Sequence, residues 1–120
     1  MHCIGKDIDG ITSYSLESLL AIKQENKILA RVEIETAEDG WSFISRFVFS
    51  DNSCYEASGF SIGYGGEGPH GLHKAIRFFW PDFMPEDFYA TEISQLRPKR
   101  YHKIIWTHVT GFYYIEELKE

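Results

Sequence analysis

The sequence is short of cysteine, of cationic charge and of long apolar runs. Only Cys3 and Cys54 are present, too few for a disulfide-framework scaffold. A bond between them is geometrically possible, but a reducing compartment favours two buried free thiols, and that is the expectation. No apolar run approaches the ~20 residues that span a bilayer. The stretch from Met1 to Asp7 has no signal-peptide-like apolar segment. A cytoplasmic protein with no membrane partner is therefore expected. Twelve Lys/Arg against 18 Asp/Glu leave a net charge of −6, which argues against general DNA or RNA affinity, since that depends on neutralising phosphates. The deficit is local: residues 1–69 hold 5 Lys/Arg against 11 Asp/Glu, while residues 70–120 balance at 7 each and carry four of the five histidines. Internal repeats, linkers and low-complexity tracts are absent, so the 120 residues read as one domain, 1–120.

What is there is core material. Hydrophobic residues make up 43% and aromatics 16%, enough to exclude disorder. Ile28, Ala30, Val32 and Ile34 alternate with Leu29, Arg31, Glu33 and Glu35, the pattern of a half-buried strand. Glu38-Asp39-Gly40 supplies a turn; Trp41, Phe43, Phe47 and Phe49 line the next strand; Asp51-Asn52-Ser53 turns again, and a third strand runs from Cys54 to Ile62. Consecutive strands with tight turns predict an antiparallel meander. Ser15–Lys23 has Leu16, Leu19, Leu20 and Lys23 at helical spacing, yet Gln24–Lys27 can serve as a hairpin turn into Ile28, and a strand is the reading adopted. Leu72, Ala75, Ile76 and Phe79 form one helical apolar stripe behind Pro69. A further helix is expected from Pro85, with Tyr89, Ile93 and Leu96 inward, and Ile104 to Ile115 read as one or two strands broken at Gly111. The fold class is α+β: a single antiparallel sheet, a meander of about four to six strands, with two α-helices on one face.

Six of the ten glycines fall between Gly59 and Leu72, where backbone must turn sharply or let another group come close. Gly63-Tyr64-Gly65-Gly66-Glu67-Gly68 satisfies the dinucleotide fingerprint G-x-G-x-x-G, but an antiparallel meander lacks the βαβ unit that the fingerprint needs. Gly59-Phe60-Ser61-Ile62-Gly63 satisfies the nucleophile-elbow pattern, but Phe60 and Ile62 continue strand alternation where an elbow needs a strained turn into a helix. Past the loop, His70, His73, Lys74 and Arg77 recur at helical spacing on the face opposite the apolar stripe. They suit a phosphate or carboxylate, with Glu67 as the one residue that would repel it. His70 and His73 have H-x-x-H spacing, but no third ligand is placed beside them, so neither a metal nor a cofactor is expected. Arg97 to Lys103, with Lys99 and Arg100, is a second basic cluster. Asp7-Ile8-Asp9-Gly10 reads as a turn.

The run from Phe60 to Leu72 resembles a motif of small uncharacterised bacterial and phage proteins, an aromatic-rich strand leading to G-Y-G-G-S-G-P and a helix with an early leucine. Gly63, Tyr64, Gly65, Gly66, Gly68, Pro69 and Leu72 match; Glu67 replaces the serine, and His70-Gly71 replace Ala-Gln. The resemblance covers roughly 15 residues. It implies a strand–loop–helix shape and mobile-element company, and no chemistry.

Three functional expectations follow. The first is a non-enzymatic protein-binding accessory or inhibitor, immunity-protein-like or a phage-encoded antagonist of host defence, docking through Glu33, Glu35, Glu38 and Asp39 onto a basic cleft. The second is a binder of a nucleotide or other phosphorylated signal, through Tyr64, Gly65, Gly66, Gly68, His70, His73, Lys74, Arg77, Lys99 and Arg100. The third is a small hydrolase using Ser61, though no catalytic set is assigned. The partner is thus a protein or a small anionic ligand, with a homo-oligomer left open.

Overall fold

The computed structural model describes residues 2–36, 43–61, 67–81, 102–109 and 112–119. In chain order these form β1 (His2–Lys6), α1 (Thr12–Lys23), β2 (Leu29–Thr36), β3 (Phe43–Phe49), β4 (Ser53–Ala57), α2 (Glu67–Phe79), β5 (His102–Val109) and β6 (Phe112–Lys119). The strands build one sheet in the order β1-β4-β3-β2-β5-β6, and the two helices pack on one face of it, an α+β fold.

The meander forms where alternation places it. β2 pairs antiparallel with β3, and β3 with β4. One face carries Val32, Ile34, Phe47, Phe49, Tyr55 and Ala57 into the core, joined by Trp106 of β5. The β3–β4 turn is set by Asn52, at φ +69°, a left-handed conformation that asparagine tolerates; Asp51 Oδ1 accepts the Ser53 amide at 3.0 Å to close it. β5 and β6 form a separate hairpin that joins the sheet through β2.

Four expectations are corrected. The sheet is mixed: β1 lies parallel to β4, because the chain leaves β1 into α1 and comes back to the sheet at β2, with β4 and β3 between them. Ser15–Lys23 is helical, part of α1. Its buried residues Thr12, Ser15, Leu19 and Ile22 follow helical spacing, whereas Leu20 is exposed; Gln24–Lys27 is where the helix unwinds, with Asn26 at φ +61°. The strand starting near Cys54 stops at Ala57, so Phe60 and Ser61 lie beyond it. The thiols also differ from expectation. Cys54 is disulfide-bonded, and Cys3, the chain's other cysteine, stands opposite it in the β1–β4 register. The Glu38–Gly40 turn and the helix expected from Pro85 lie outside the described residues.

α2 follows its sequence closely. Leu72, Ala75 and Ile76 are buried, and Phe79 packs against the core beside Phe49, ring centroids 5.5 Å apart. Trp80 follows directly and donates its indole N–H to the Leu29 carbonyl at 3.1 Å, tying the end of α2 to the start of β2. No helix among the described residues is long and apolar enough to cross a membrane. The helices meet at Gly71, where an added Cβ would run into Thr12 Cγ2. Gly71→Ala should therefore lower unfolding free energy by about 1–2 kcal/mol in urea titrations, overpacking outweighing the ~1 kcal/mol that alanine gains in a helix. Thr12→Ser, which removes that methyl and keeps the hydroxyl, should restore much of the loss in the double variant; no recovery would place the strain elsewhere.

Candidate functional site

Because β1 and β4 run parallel, their carboxyl ends lie at one edge of the sheet, and both helices begin there. Asp7 follows β1 and Ser58 follows β4. The Asp7 carboxylate accepts from Ser15 Oγ of α1 at 2.9 Å, from Tyr55 Oη of β4 at 3.0 Å, from the Ser58 amide at 2.9 Å, and from Ser58 Oγ. Each serine hydroxyl also accepts a backbone amide: Ser15 Oγ that of Gly59 at 3.0 Å, Ser58 Oγ that of Gly10 at 2.9 Å. Thr12 Oγ1 donates to the Gly59 carbonyl at 2.6 Å. Gly59 has no alternative here, since a Cβ would sit 2.5 Å from the Ile11 carbonyl oxygen.

Among the hollows that open along this edge and down α2, three share walls in succession. The first, about 560 Å³, is walled by Gly10, Thr12, Phe43, Ser58, Ser61 and Glu67. Ser61 and Glu67 flank residues 62–66, so both ends of the glycine-rich stretch border this hollow, and Gly68 lines it too. The second, about 220 Å³, lies between the helices against Thr12, Leu16, Glu67, His70, Gly71 and Lys74. The third, about 470 Å³, is bounded by His70, His73, Lys74, Arg77, Phe78 and Pro81.

The basic strip is thus brought together, with one change: His73 is buried, not on an open face. Arg77 donates from Nη2 and Nε to the Pro81 carbonyl at 3.0 and 3.3 Å, which holds its guanidinium against the end of α2. Glu67 borders the first two hollows and is absent from the wall of the third. Its carboxylate is exposed in the first turn of α2, where the helix dipole favours negative charge.

Glu33 and Glu35 lie elsewhere, on the sheet's other face. Glu33 is buried and takes Arg31 Nε at 2.6 Å; Glu35 takes an Arg46 nitrogen at 2.7 Å, and Arg46 also faces Glu56 at 3.6 Å. Burial works against the Arg46 charge, but Glu35, Glu56 and Glu33 outweigh it and raise its pKa. Tyr64, Gly65, Gly66, Glu38, Asp39, Lys99 and Arg100 lie outside the described residues. Among the described residues no three potential ligands cluster for a metal, and no histidine lines the hollow that Ser61 borders.

Asp7, Ser15 and Ser58 were missed as a site because their contacts span 8 to 51 residues of chain, beyond any local pattern. Only Asp7-Ile8-Asp9-Gly10, a turn signal after a short strand, marked the place. No protein-family model, curated protein or solved structure matches this chain, so function is argued from the geometry.

Tyr55 supplies a pH test of the cluster. Burial raises its pKa, a hydrogen bond with Ser18 lowers it, and the Asp7 hydrogen bond and charge raise it. The folded state therefore keeps this proton to higher pH than the unfolded chain; the linked stability is full below the ordinary tyrosine value of about 10 and is lost as pH rises through the folded value. Asp7→Asn should bring Tyr55 down toward, but not to, that ordinary value, followed by tyrosine ¹³Cζ NMR. A Tyr55 titration unmoved by the substitution would show that the carboxylate does not govern it.

Proposed function

We propose that the protein binds a small phosphorylated molecule, with the anion held by His70, Lys74 and Arg77. The observation that carries this reading is the third hollow, where four nitrogen-bearing side chains of one helix converge and no carboxylate is part of the described wall. Spacing on α2 puts them there, since residues three and four apart share a helix face. Arg77, fixed by the Pro81 carbonyl, needs little ordering to meet a ligand, and that preserves binding energy. Phe78 and Pro81 supply apolar surface beside the charges. A binder that sequesters or senses such a molecule needs no catalytic group, and none is assigned. A cytoplasmic location belongs to the same proposal; the bond at Cys54 stands against it, because reducing compartments disfavour disulfides.

The geometry gives less to the acidic docking surface. Glu33 and Glu35 already face Arg31 and Arg46, so the charge they would offer a basic cleft is largely spent within the sheet.

Native mass spectrometry of freshly purified protein should find a phosphorylated compound retained, and calorimetry with ADP should give a measurable affinity. Lys74→Glu with Arg77→Glu should weaken ADP by at least about 100-fold, since each lost charge-assisted contact is worth roughly 1.5–3 kcal/mol. Glu33→Gln should leave it unchanged. An affinity indifferent to the double reversal would remove this site.

A further inference from the structure

The three hollows adjoin one another. Thr12 and Glu67 border both the first and the second, and His70 and Lys74 border both the second and the third. They lie in a row that follows α2 from its first turn past its middle and are taken together as one groove. At 1.5 Å of rise per residue, Glu67 stands about 10 Å from Lys74 and about 15 Å from Arg77 along the helix axis. The character of the wall changes along that length. At the far end it is basic; in the middle it is mainly apolar, against Leu16 and Gly71; at the near end it has the half-buried ring of Phe43 and the exposed carboxylate of Glu67. The hydroxyls of Ser58 and Thr12 in the near wall already serve Asp7 and Gly59, and Glu67 is the charged side chain of that wall, exposed at its rim.

From this order of chemistries we infer that the groove takes a nucleoside phosphate lengthwise, phosphate between Lys74 and Arg77, sugar over the apolar middle, base against Phe43, with Glu67 setting the direction. The inference rests on the anion-binding reading of the third hollow and adds the class of the molecule. A sugar offers a C–H face to the apolar middle and hydroxyl donors to a carboxylate, and a base offers a planar face to an aromatic ring. Glu67 accepts from hydroxyl or amino groups and repels a second phosphate, so a molecule anionic at both ends is refused. A lipid phosphate is refused for the opposite reason, since its apolar tail would have to lie against that carboxylate. The residue that stood against an anion site thus becomes its specificity element: it sits at one end of the groove, away from the cations.

The test compares ADP, pyrophosphate and adenosine on the full chain by calorimetry and amide NMR. ADP should bind at least about tenfold more tightly than pyrophosphate. Glu67→Gln should reduce that preference by about tenfold, weakening ADP while leaving pyrophosphate equal or tighter; Glu67 is exposed, and an unchanged melting temperature checks that the variant folds. Adenosine should shift amides around Ser58, Ser61 and Glu67, and pyrophosphate those from His70 to Arg77. If pyrophosphate binds as well as ADP, if Glu67→Gln leaves the preference intact, or if both probes shift the same amides, the lengthwise nucleoside reading is overturned while the anion site stands. If neither phosphate binds, or Lys74→Glu with Arg77→Glu changes nothing, both readings fall together.

Discussion

One carboxylate, Asp7, holds together the end of the sheet from which both helices start. It takes hydrogen bonds from α1, from β4 and from the turn after β4. Its partners are themselves acceptors for the backbone amides of Gly10 and Gly59. A hydroxyl that donates to a charge and accepts from an amide is polarised in both directions, and such chains are stronger than their separate bonds. A charge-assisted bond is also about twice as strong as a neutral one. The geometry leaves little slack: Gly59 passes the Ile11 carbonyl where no Cβ fits, and Gly71 passes Thr12 in the same way. The first helix turn, the post-β4 turn and the second helix are therefore placed relative to one another by a few contacts around one residue, and the groove is the space that this placement leaves.

The two faces of the sheet handle charge differently. The helix-covered face is nearly all apolar, with Phe47 between Phe60 and Phe79 at centroid separations of 6.0 and 6.4 Å. The other face places Arg46 between Glu35 and Glu56, and Arg31 beside Glu33. Opposite charges on adjacent strands stabilise a sheet modestly, roughly 0.2–1 kcal/mol per pair. Three of the eleven acids of the first half, Glu33, Glu35 and Glu56, are thereby matched by two arginines within the sheet. No carboxylate lines the described wall of the hollow that the cations of α2 border.

How far the sequence was readable depends on how local each signal is. The meander was, because its alternation needs only neighbouring residues. α2 was, because its inward positions are Leu72, Ala75 and Ile76, unmistakably apolar. α1 was not: its buried stripe is Thr12, Ser15, Leu19 and Ile22, and the two hydroxyl residues are inward to serve Asp7 and Gly59 rather than to fill space. A helix whose inward face is half polar has little amphipathic contrast to detect, and the exposed Leu20 blurs it further. The same two residues hid both the helix and the cluster. His70, His73, Lys74 and Arg77 were placed together by a four-residue periodicity; the Asp7 contacts, reaching as far as residue 58, had no periodicity to betray them.

β1, a strand that the sequence analysis does not anticipate, and the edge cluster belong together. An all-antiparallel sheet scatters its loops over both ends, and no end is then preferred for a ligand. A parallel pair sends two carboxyl ends, and the helices that follow them, to the same edge, which is where open mixed sheets form their crevices. Dismissing the glycine-rich stretch for want of a parallel partner was sound about the dinucleotide fold, since β1–α1 and β4–α2 belong to separate crossovers and no doubly wound sheet follows. It overlooked a lesser arrangement that uses the same physics: two strand–helix passages side by side, one supplying Asp7 and Thr12, the other Ser61 and Glu67. Gly59 is needed at that point because backbone passes backbone too closely there for a side chain. From Glu67 the hollows follow α2, and the charge that would hold a ligand lies one to three helical turns further on.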